Sequence, residues 1–247
     1  MSAKDKWMYR STGSGNARYR LFCFPYAGSG ASMYAGLGKY IDEEIEVCPI
    51  QLPGRENRRN ESLCSDVEKI ISELCDAMKD LLDKPFGIFG YSMGGILAYE
   101  LTAKLYERFH VKPVRLFMAA SSIFREKKPV EVSSMNEHQL VTYMRKSNGV
   151  PERVMADEFL WKNYEPIIVN DYKLIENYRF SYHKVQCGIV AFASREDREV
   201  KYRNIRLLKY FAPKFELYPM SGNHFFIREE SRRIGEIVSR EMESCSA

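Results

Sequence analysis

The feature that most restricts the fold of this chain is the pentapeptide at residues 90–94 (GYSMG), because it joins two different hydrophobic patterns. Residues 86–89 before it form a short apolar run, and residues 96–109 after it repeat apolar side chains at helical spacing. The pattern G-x-S-x-G between a strand and a helix is typical of a sharp turn that exposes a serine hydroxyl. We therefore predict Ser92 to be a nucleophile; a serine that only caps the helix is the alternative.

Strand-sized apolar runs alternate with helical patterns along most of the chain. The runs are 19–24, 45–50, 85–90, 114–119, 187–193 and 215–218. Several lack the polar alternation of half-exposed strands, which is typical of parallel sheets buried on both faces. Helical periodicity occupies 63–82, 96–109 and 229–242. This alternation predicts an α/β fold with a mostly parallel, doubly wound sheet.

The alternation stops between residues 133 and 182, where no run has the pattern of a strand. Helical patterns there are interrupted at residues 149–151 and at Pro166, and large apolar side chains are frequent. The segment is longer than an ordinary connection between two strands. We predict a helical lid inserted into a single domain that spans residues 1–247; helices that belong to the main core are the alternative.

A histidine base is expected after the last strand of such a chain, in the order serine, acid, histidine. Of the four histidines, only His224 lies beyond the predicted strands. Gly222 and Asn223 before it tolerate left-handed backbone and can turn its side chain toward the serine. We predict that His224 is the base, with a surface loop histidine as the alternative.

The acid should follow an earlier strand, because the carboxyl ends of parallel strands share one edge of the sheet. Residues 191–197 end an apolar run and then turn polar, so Glu196 and Asp197 both qualify. We favour Asp197, which would orient the imidazole and stabilise its charged form. Asp157 and Asp171 fall in the predicted lid and are weaker candidates.

Two backbone N–H groups are needed to hold an oxyanion at such a serine. The first belongs to Met93, the residue after the nucleophile, and the second should come from the loop after an early strand. Residues 24–30 (FPYAGSG) form such a loop, and Ala27 is our candidate. An ordinary glycine-rich turn is the alternative; the loop lacks the spacing of a dinucleotide-binding site.

Composition excludes several other classes of protein. The net charge of +4 over 247 residues is too small to indicate nucleic-acid binding, and no apolar stretch is long enough for a membrane span. Neither a secretory signal nor a zinc-binding cysteine pattern is visible, so we expect a cytoplasmic protein without metal or cofactor. Cys23, Cys48 and Cys187 lie in apolar runs and are predicted to be buried and reduced. The first fifteen or so residues are polar and rich in small side chains, so we predict that they form a loose tail.

Four segments together resemble the type II thioesterases of polyketide and nonribosomal peptide assembly lines, and the animal medium-chain fatty-acid synthase thioesterase. They are 24–28 (FPYAG), 51–56 (QLPGRE), 90–95 (GYSMGG) and 222–226 (GNHFF). The resemblance runs from about residue 19 to the end of the chain. It implies an α/β-hydrolase fold with a lid at 133–182, and Ser92, Asp197 and His224 match the family triad. The family often has His at Tyr91, Gly at Asn223 and Gly at Ser194.

The resemblance also implies a stand-alone editing enzyme that removes acyl or aminoacyl groups from the phosphopantetheine arm of an acyl- or peptidyl-carrier protein. Arg55, Arg58 and Arg59 cluster after the Leu-Pro-Gly turn. They could dock an acidic carrier domain, but we favour a solvated basic loop. A general serine carboxylesterase or lipase is the alternative function, and a non-catalytic binding protein of the same fold is a more remote one. Nothing in the sequence demands more than a monomer.

Overall fold

The computed structural model describes residues 6–9, 11, 16–124 and 131–244, and in these residues six parallel strands form a single sheet. The strands are β1 (Tyr19–Phe24), β2 (Ile45–Pro49), β3 (Phe86–Tyr91), β4 (Arg115–Ala119), β5 (Gly188–Ser194) and β6 (Phe215–Met220). Every residue of β1, β3 and β5 is buried, as expected for strands covered on both faces. The predicted parallel sheet is confirmed.

The strand order β2-β1-β3-β4-β5-β6 places a topological switch point between β1 and β3. From β1 the chain moves outward to β2, and it then returns to the other side of β1 to form β3. Phe24 at the end of β1 is in register with Gly90 near the end of β3. Ligand sites of open α/β sheets lie in the crevice at such points, so the loops after β1 and β3 meet where a site is expected.

Helices cover both faces of the sheet. They are α1 (Val67–Met78), α2 (Met93–Phe109), α3 (Glu137–Ser147), α4 (Glu152–Ala156), α5 (Glu158–Asn177), α6 (Tyr202–Arg206) and α7 (Ser231–Glu243). α1 begins later than the periodicity from residue 63 predicts, because the Asp66 side chain caps it by accepting a hydrogen bond from the Lys69 N–H. The five-residue α6 was not predicted from the sequence.

The helices α3, α4 and α5 lie between β4 and β5 and pack on a small apolar cluster of their own. The cluster consists of Val132, Leu140, Met144, Trp161 and Ile168. The predicted interruption at Pro166 is wrong, because α5 continues through it. A proline removes one backbone hydrogen bond from a helix, but the buried side chains of α5 on both sides of Pro166 offset that loss.

The N-terminal residues 6–9 pack against the sheet, so the prediction of a loose tail is wrong for them. Trp7 is buried, and Met8 forms an antiparallel bridge with Ile50. The remainder of that prediction, residues 1–5, 10 and 12–15, lies outside the described residues. The buried positions predicted for Cys23, Cys48 and Cys187 are confirmed, and all three are free thiols; burial raises the pKa of Cys187 to about 12. Within the described ranges no helix has the length and apolarity to cross a membrane.

Candidate active site

Ser92 lies at the tight turn between β3 and α2, where its backbone takes the rare conformation φ 52° and ψ −116°. Its N–H still donates to the carbonyl of Ala119 on β4, at 2.8 Å, so the turn stays anchored to the sheet. A Cβ at Gly90 would overlap the backbone of Gly94, and a Cβ at Gly94 would overlap the backbone of Phe24. The two glycines therefore permit the strained turn that exposes the hydroxyl.

The structure brings Ser92, His224 and Asp197 together from three separate loops. Nε2 of His224 lies 2.9 Å from the Ser92 hydroxyl, and Nδ1 lies 2.8 Å from Oδ2 of Asp197. The other carboxylate oxygen of Asp197 accepts hydrogen bonds from the N–H groups of Glu199 and Val200, at 2.8 and 3.0 Å. Asp197 and His224 are both buried, whereas the competing candidate Glu196 is exposed. This chain of hydrogen bonds can move a proton from the serine to the imidazole.

The three positions that depart from the family pattern each hold the histidine loop in place. The Ser194 hydroxyl donates to the carbonyl of Gly222, which has a positive φ of 90°. The Asn223 side chain accepts from the N–H of Phe225 at 2.8 Å. The Tyr91 hydroxyl donates to the carbonyl of His224 at 2.6 Å. The sequence identified Tyr91 and Ser194 only as departures, because their partners lie 133 and 28 residues away in the chain. Asn223 binds a neighbour two residues later, and its sequence indicated only that it tolerates a left-handed backbone.

Replacing Tyr91 by phenylalanine is expected to destabilise the protein by about 1–3 kcal/mol, the usual cost of leaving buried polar groups unpaired. The Tyr91 hydroxyl also accepts from the N–H of Ile227, at 3.3 Å, so two buried backbone groups lose a partner. Burial raises the pKa of Tyr91 well above its usual value, so the hydroxyl remains a donor at physiological pH. Urea unfolding measures the effect; equal stability of the two proteins would show that these hydrogen bonds contribute nothing.

A cavity of about 430 Å³ opens beside Ser92, and both predicted oxyanion donors, Met93 and Ala27, border it. Tyr143 of α3 and Tyr172 of α5 line its other side, so the helical segment forms part of the wall. The Tyr143 hydroxyl donates to the carboxylate of Glu199 at 2.7 Å, which joins α3 to the loop that carries the acid. A larger cavity, of about 1000 Å³, is lined by none of the predicted site residues. The described residues contain no cluster of three or more potential metal ligands.

The arginines at 55, 58 and 59 do not form the solvated basic loop or the docking patch considered from the sequence. Arg55 and Arg58 are buried, with 3% and 4% of their surfaces exposed, and only Arg59 is exposed. Arg55 pairs with Asp171 of α5. Arg58 binds both carboxylate oxygens of Glu61, at 3.0 and 2.8 Å, and its guanidinium covers the Trp7 ring. The partner of Arg55 lies 116 residues later in the chain, so no local pattern indicates it. The partner of Arg58 lies three residues later, but such a spacing of opposite charges also occurs on exposed surfaces and does not indicate burial.

The ion pair between Arg58 and Glu61 makes the free energy of unfolding depend on pH in the acid range. The hydrogen bond from Arg58 lowers the pKa of Glu61 from 4.5 to about 2. A carboxyl group whose pKa is depressed by folding stabilises the protein above its unfolded pKa, and this contribution disappears as the pH falls through its folded pKa. Glu61→Gln is therefore expected to lower stability at pH 7, by an amount that shrinks as the pH falls from about 4.5 toward 2.

Urea unfolding of both proteins at pH 7 and pH 3 measures this difference. Because about a third of the Glu61 side chain is exposed, solvent screens part of the interaction. A stability difference that stays constant between the two pH values would contradict the depressed pKa.

Residues 19–242, and thus all six strands and the three triad candidates, match the thioesterase domain family. The chain belongs to the thioesterase domain family. It is 29% identical to the gramicidin S biosynthesis protein GrsT of Aneurinibacillus migulanus, an alignment that covers 98% of this chain and 96% of GrsT. It is 26% identical to the medium-chain S-acyl fatty acid synthase thioesterase of Rattus norvegicus, covering 86% of this chain and 82% of that enzyme.

Among solved structures, this thioesterase resembles the type II thioesterase BorB from the borrelidin biosynthetic cluster, with a TM-score of 0.88 and 27% identity. The superposition covers 96% of this chain and 98% of BorB. The α/β-hydrolase fold and the resemblance to type II thioesterases predicted from the sequence are confirmed. The chain is thus a hydrolase that acts on thioesters.

Proposed function

We propose that this thioesterase hydrolyses acyl or aminoacyl thioesters on the phosphopantetheine arm of carrier proteins, with Ser92, His224 and Asp197 as its catalytic triad. The observation that carries the chemistry is the continuous hydrogen-bonded chain from the Ser92 hydroxyl through both ring nitrogens of His224 to the Asp197 carboxylate. The similarity to GrsT and BorB over nearly the whole chain supports a stand-alone enzyme of an assembly line.

Acylation begins when Nε2 of His224 takes the proton of the Ser92 hydroxyl and the oxygen attacks the thioester carbonyl. Asp197 accepts a hydrogen bond from the Nδ1–H of His224, which fixes the tautomer with a free Nε2 and stabilises the imidazolium. The N–H groups of Met93 and Ala27 hold the oxyanion as the tetrahedral adduct forms. The adduct collapses with cleavage of the carbon–sulfur bond, and the imidazolium returns its proton to the leaving thiolate.

Deacylation repeats these steps with water. His224 takes a proton from the water molecule, the hydroxide attacks the acyl-enzyme, and the second tetrahedral adduct releases the Ser92 oxygen, which regains a proton from His224. The products are a free carboxylic acid and the carrier thiol. Each proton and electron pair is thereby accounted for by the triad and water alone.

The helical segment made of α3, α4 and α5 is proposed to act as the lid of this site. Tyr143 and Tyr172 of the segment line the cavity that contains Ser92, so the segment limits how much of an acyl group fits there. The lining combines apolar side chains, such as Ile96 and Ile175, with polar groups at Glu199 and Lys201. Such a mixed wall suits short acyl and aminoacyl groups better than long alkyl chains.

The experiment that tests this function compares hydrolysis of a panel of acyl groups loaded on a carrier protein with hydrolysis of the same groups as oxygen esters. Ser92→Ala is the control for background hydrolysis. Preferential release from the carrier, abolished by the substitution, is the expected result. Fast oxygen-ester turnover with little release from the carrier would instead indicate a general carboxylesterase with the same triad, and no turnover of either substrate would indicate a binding protein.

A further inference from the structure

Arg55 and Asp171 form a buried ion pair that joins the loop after β2 to α5. Two guanidinium nitrogens of Arg55 donate to the two carboxylate oxygens of Asp171, at 2.6 and 2.7 Å. Their side chains are 3% and 1% exposed, so neither charge is solvated by water. Burying two charges is expensive, and such a pair adds little net stability compared with apolar side chains of similar size. Its fixed geometry is therefore the property that needs an explanation.

Both members of the pair also bind the backbone of the loop after β1, which carries the proposed oxyanion donor Ala27. Asp171 accepts a hydrogen bond from the N–H of Gly28 at 2.8 Å. Arg55 donates to the carbonyl of Ser29 at 3.0 Å. The peptide N–H next to Ala27 is thus held directly by a carboxylate of α5.

The loop itself is a tight turn that packs directly against α5. The N–H of Ser29 donates to the carbonyl of Tyr26, which closes a tight turn with Ala27 and Gly28 at its centre. Gly28 has a positive φ of 78°, as the third residue of a type II turn requires. The side chain of Ile168, also on α5, packs so close to Gly28 that a Cβ there would lie 2.9 Å from it.

Two more side chains of the segment 51–56 bind the following residues of the same loop. The side-chain amide oxygen of Gln51 accepts from the N–H of Ala31 at 3.1 Å, and the Glu56 carboxylate accepts from the hydroxyl and N–H of Ser32. The polar side chains of the QLPGRE motif therefore all bind the loop that begins at the end of β1. This gives the motif a role that its sequence pattern alone did not indicate.

We propose that Arg55 and Asp171 are positioning residues that hold the Ala27 N–H in the oxyanion hole, so that the oxyanion hole is complete only when α5 is docked on the β1 loop. The inference rests on the proposed serine mechanism. It makes the lid helix a structural part of the catalytic apparatus in addition to a wall of the cavity. Neither side chain lines the cavity around Ser92, so both act through the loop.

The test uses Arg55→Lys and Asp171→Asn in the full-length enzyme with a simple thioester substrate, at a temperature where each variant is folded. Lysine keeps the positive charge but cannot reach both carboxylate oxygens and the Ser29 carbonyl with one planar fork. Each variant is expected to lower kcat by about 10- to 100-fold, less than the 10²–10³ typical for complete loss of an oxyanion donor, with KM nearly unchanged. The double variant should lose no more than the more damaging single one.

A second readout reports on the oxyanion hole itself. The Ser92 oxygen adds to the carbonyl of a trifluoromethyl ketone analogue of the substrate, which places an alkoxide in the oxyanion hole. The matched methyl ketone binds largely without this addition. The ratio of the two inhibition constants should change by about the same factor as kcat in both variants, since both quantities depend on the same donors. A purely structural ion pair would lower the melting temperature and leave this ratio unchanged.

Arg58→Lys is the matched control, because Arg58 is equally buried, lies on the same loop and binds a carboxylate through two nitrogens. Its side chain bonds Glu61 and the main-chain carbonyl of Gln51, and within the described residues it makes no hydrogen bond to residues 25–30. It should lower stability while kcat and the inhibitor ratio stay unchanged. Equal losses of kcat in Arg55→Lys and Arg58→Lys, or an unchanged ratio in folded Arg55→Lys, would overturn the inference. Activity that survives in Ser92→Ala would instead overturn the proposed mechanism, so the two failures are distinguishable.

Discussion

Replacing Ser92 by alanine is expected to lower kcat for a carrier-bound thioester by about 10⁴-fold or more, since a triad without its nucleophile retains only binding and oxyanion stabilisation. The substitution removes one partly buried hydrogen bond to His224 and leaves the backbone turn between Gly90 and Gly94 intact. KM should change little, because the hydroxyl contributes mainly to the transition state. Single-turnover release of a labelled acyl group measures the loss separately from product dissociation.

Covalent labelling provides an independent check on the same residue. A fluorophosphonate should add the mass of one phosphonyl group to the native protein and none to Ser92→Ala. The modified peptide should contain residue 92. Ser122 borders the same cavity, but its hydroxyl donates to the carbonyl of Phe124. A label found on Ser122, or unchanged labelling of Ser92→Ala, would show that the nucleophile has been misidentified.

The local sequence predicted the sheet well, because its strands are buried on both faces and their apolar runs depend little on tertiary context. All six predicted runs became strands, and the pentapeptide at 90–94 occupies the turn that its glycines require. The predicted acid and base are brought to Ser92 because the strand that ends before each of them runs in the same direction as β3. Because these strands are parallel, the residues that follow them lie at the same edge of the sheet although they are distant in sequence.

The sequence predicted poorly where a long-range contact decides the local structure. Pro166 indicated a break, but burial of α5 on its neighbours keeps the helix continuous. Arg55 looked like a surface charge because its partner, Asp171, lies more than a hundred residues later. Trp7 lies in a polar segment that gave no sign of packing, yet the Arg58 guanidinium covers its ring. A pattern confined to one segment cannot identify partners of this kind.

Asp197→Asn is expected to lower kcat by about 10⁴-fold, although the two side chains have almost the same shape. Oδ1 of Asp197 must accept the N–H groups of Glu199 and Val200, so the amide oxygen of an asparagine would take this position. Its NH₂ group would then face Nδ1 of His224 as a donor. The imidazole would respond by carrying its proton on Nε2, where it can no longer accept the proton of Ser92. Steady-state kinetics with a carrier-bound thioester measures the loss.

The neighbouring carboxylate gives a matched control for this argument. Glu196 was the competing candidate from the sequence, but it is exposed, and among the described residues its carboxylate makes no hydrogen bond while its N–H donates to the Ser194 hydroxyl at 3.0 Å. Glu196→Gln should therefore leave kcat unchanged, while Asp197→Asn should keep the stability of the native protein and lose its activity. A comparable loss in both variants would mean that the charge of the loop matters more than the hydrogen bond to His224, and the tautomer argument would fail.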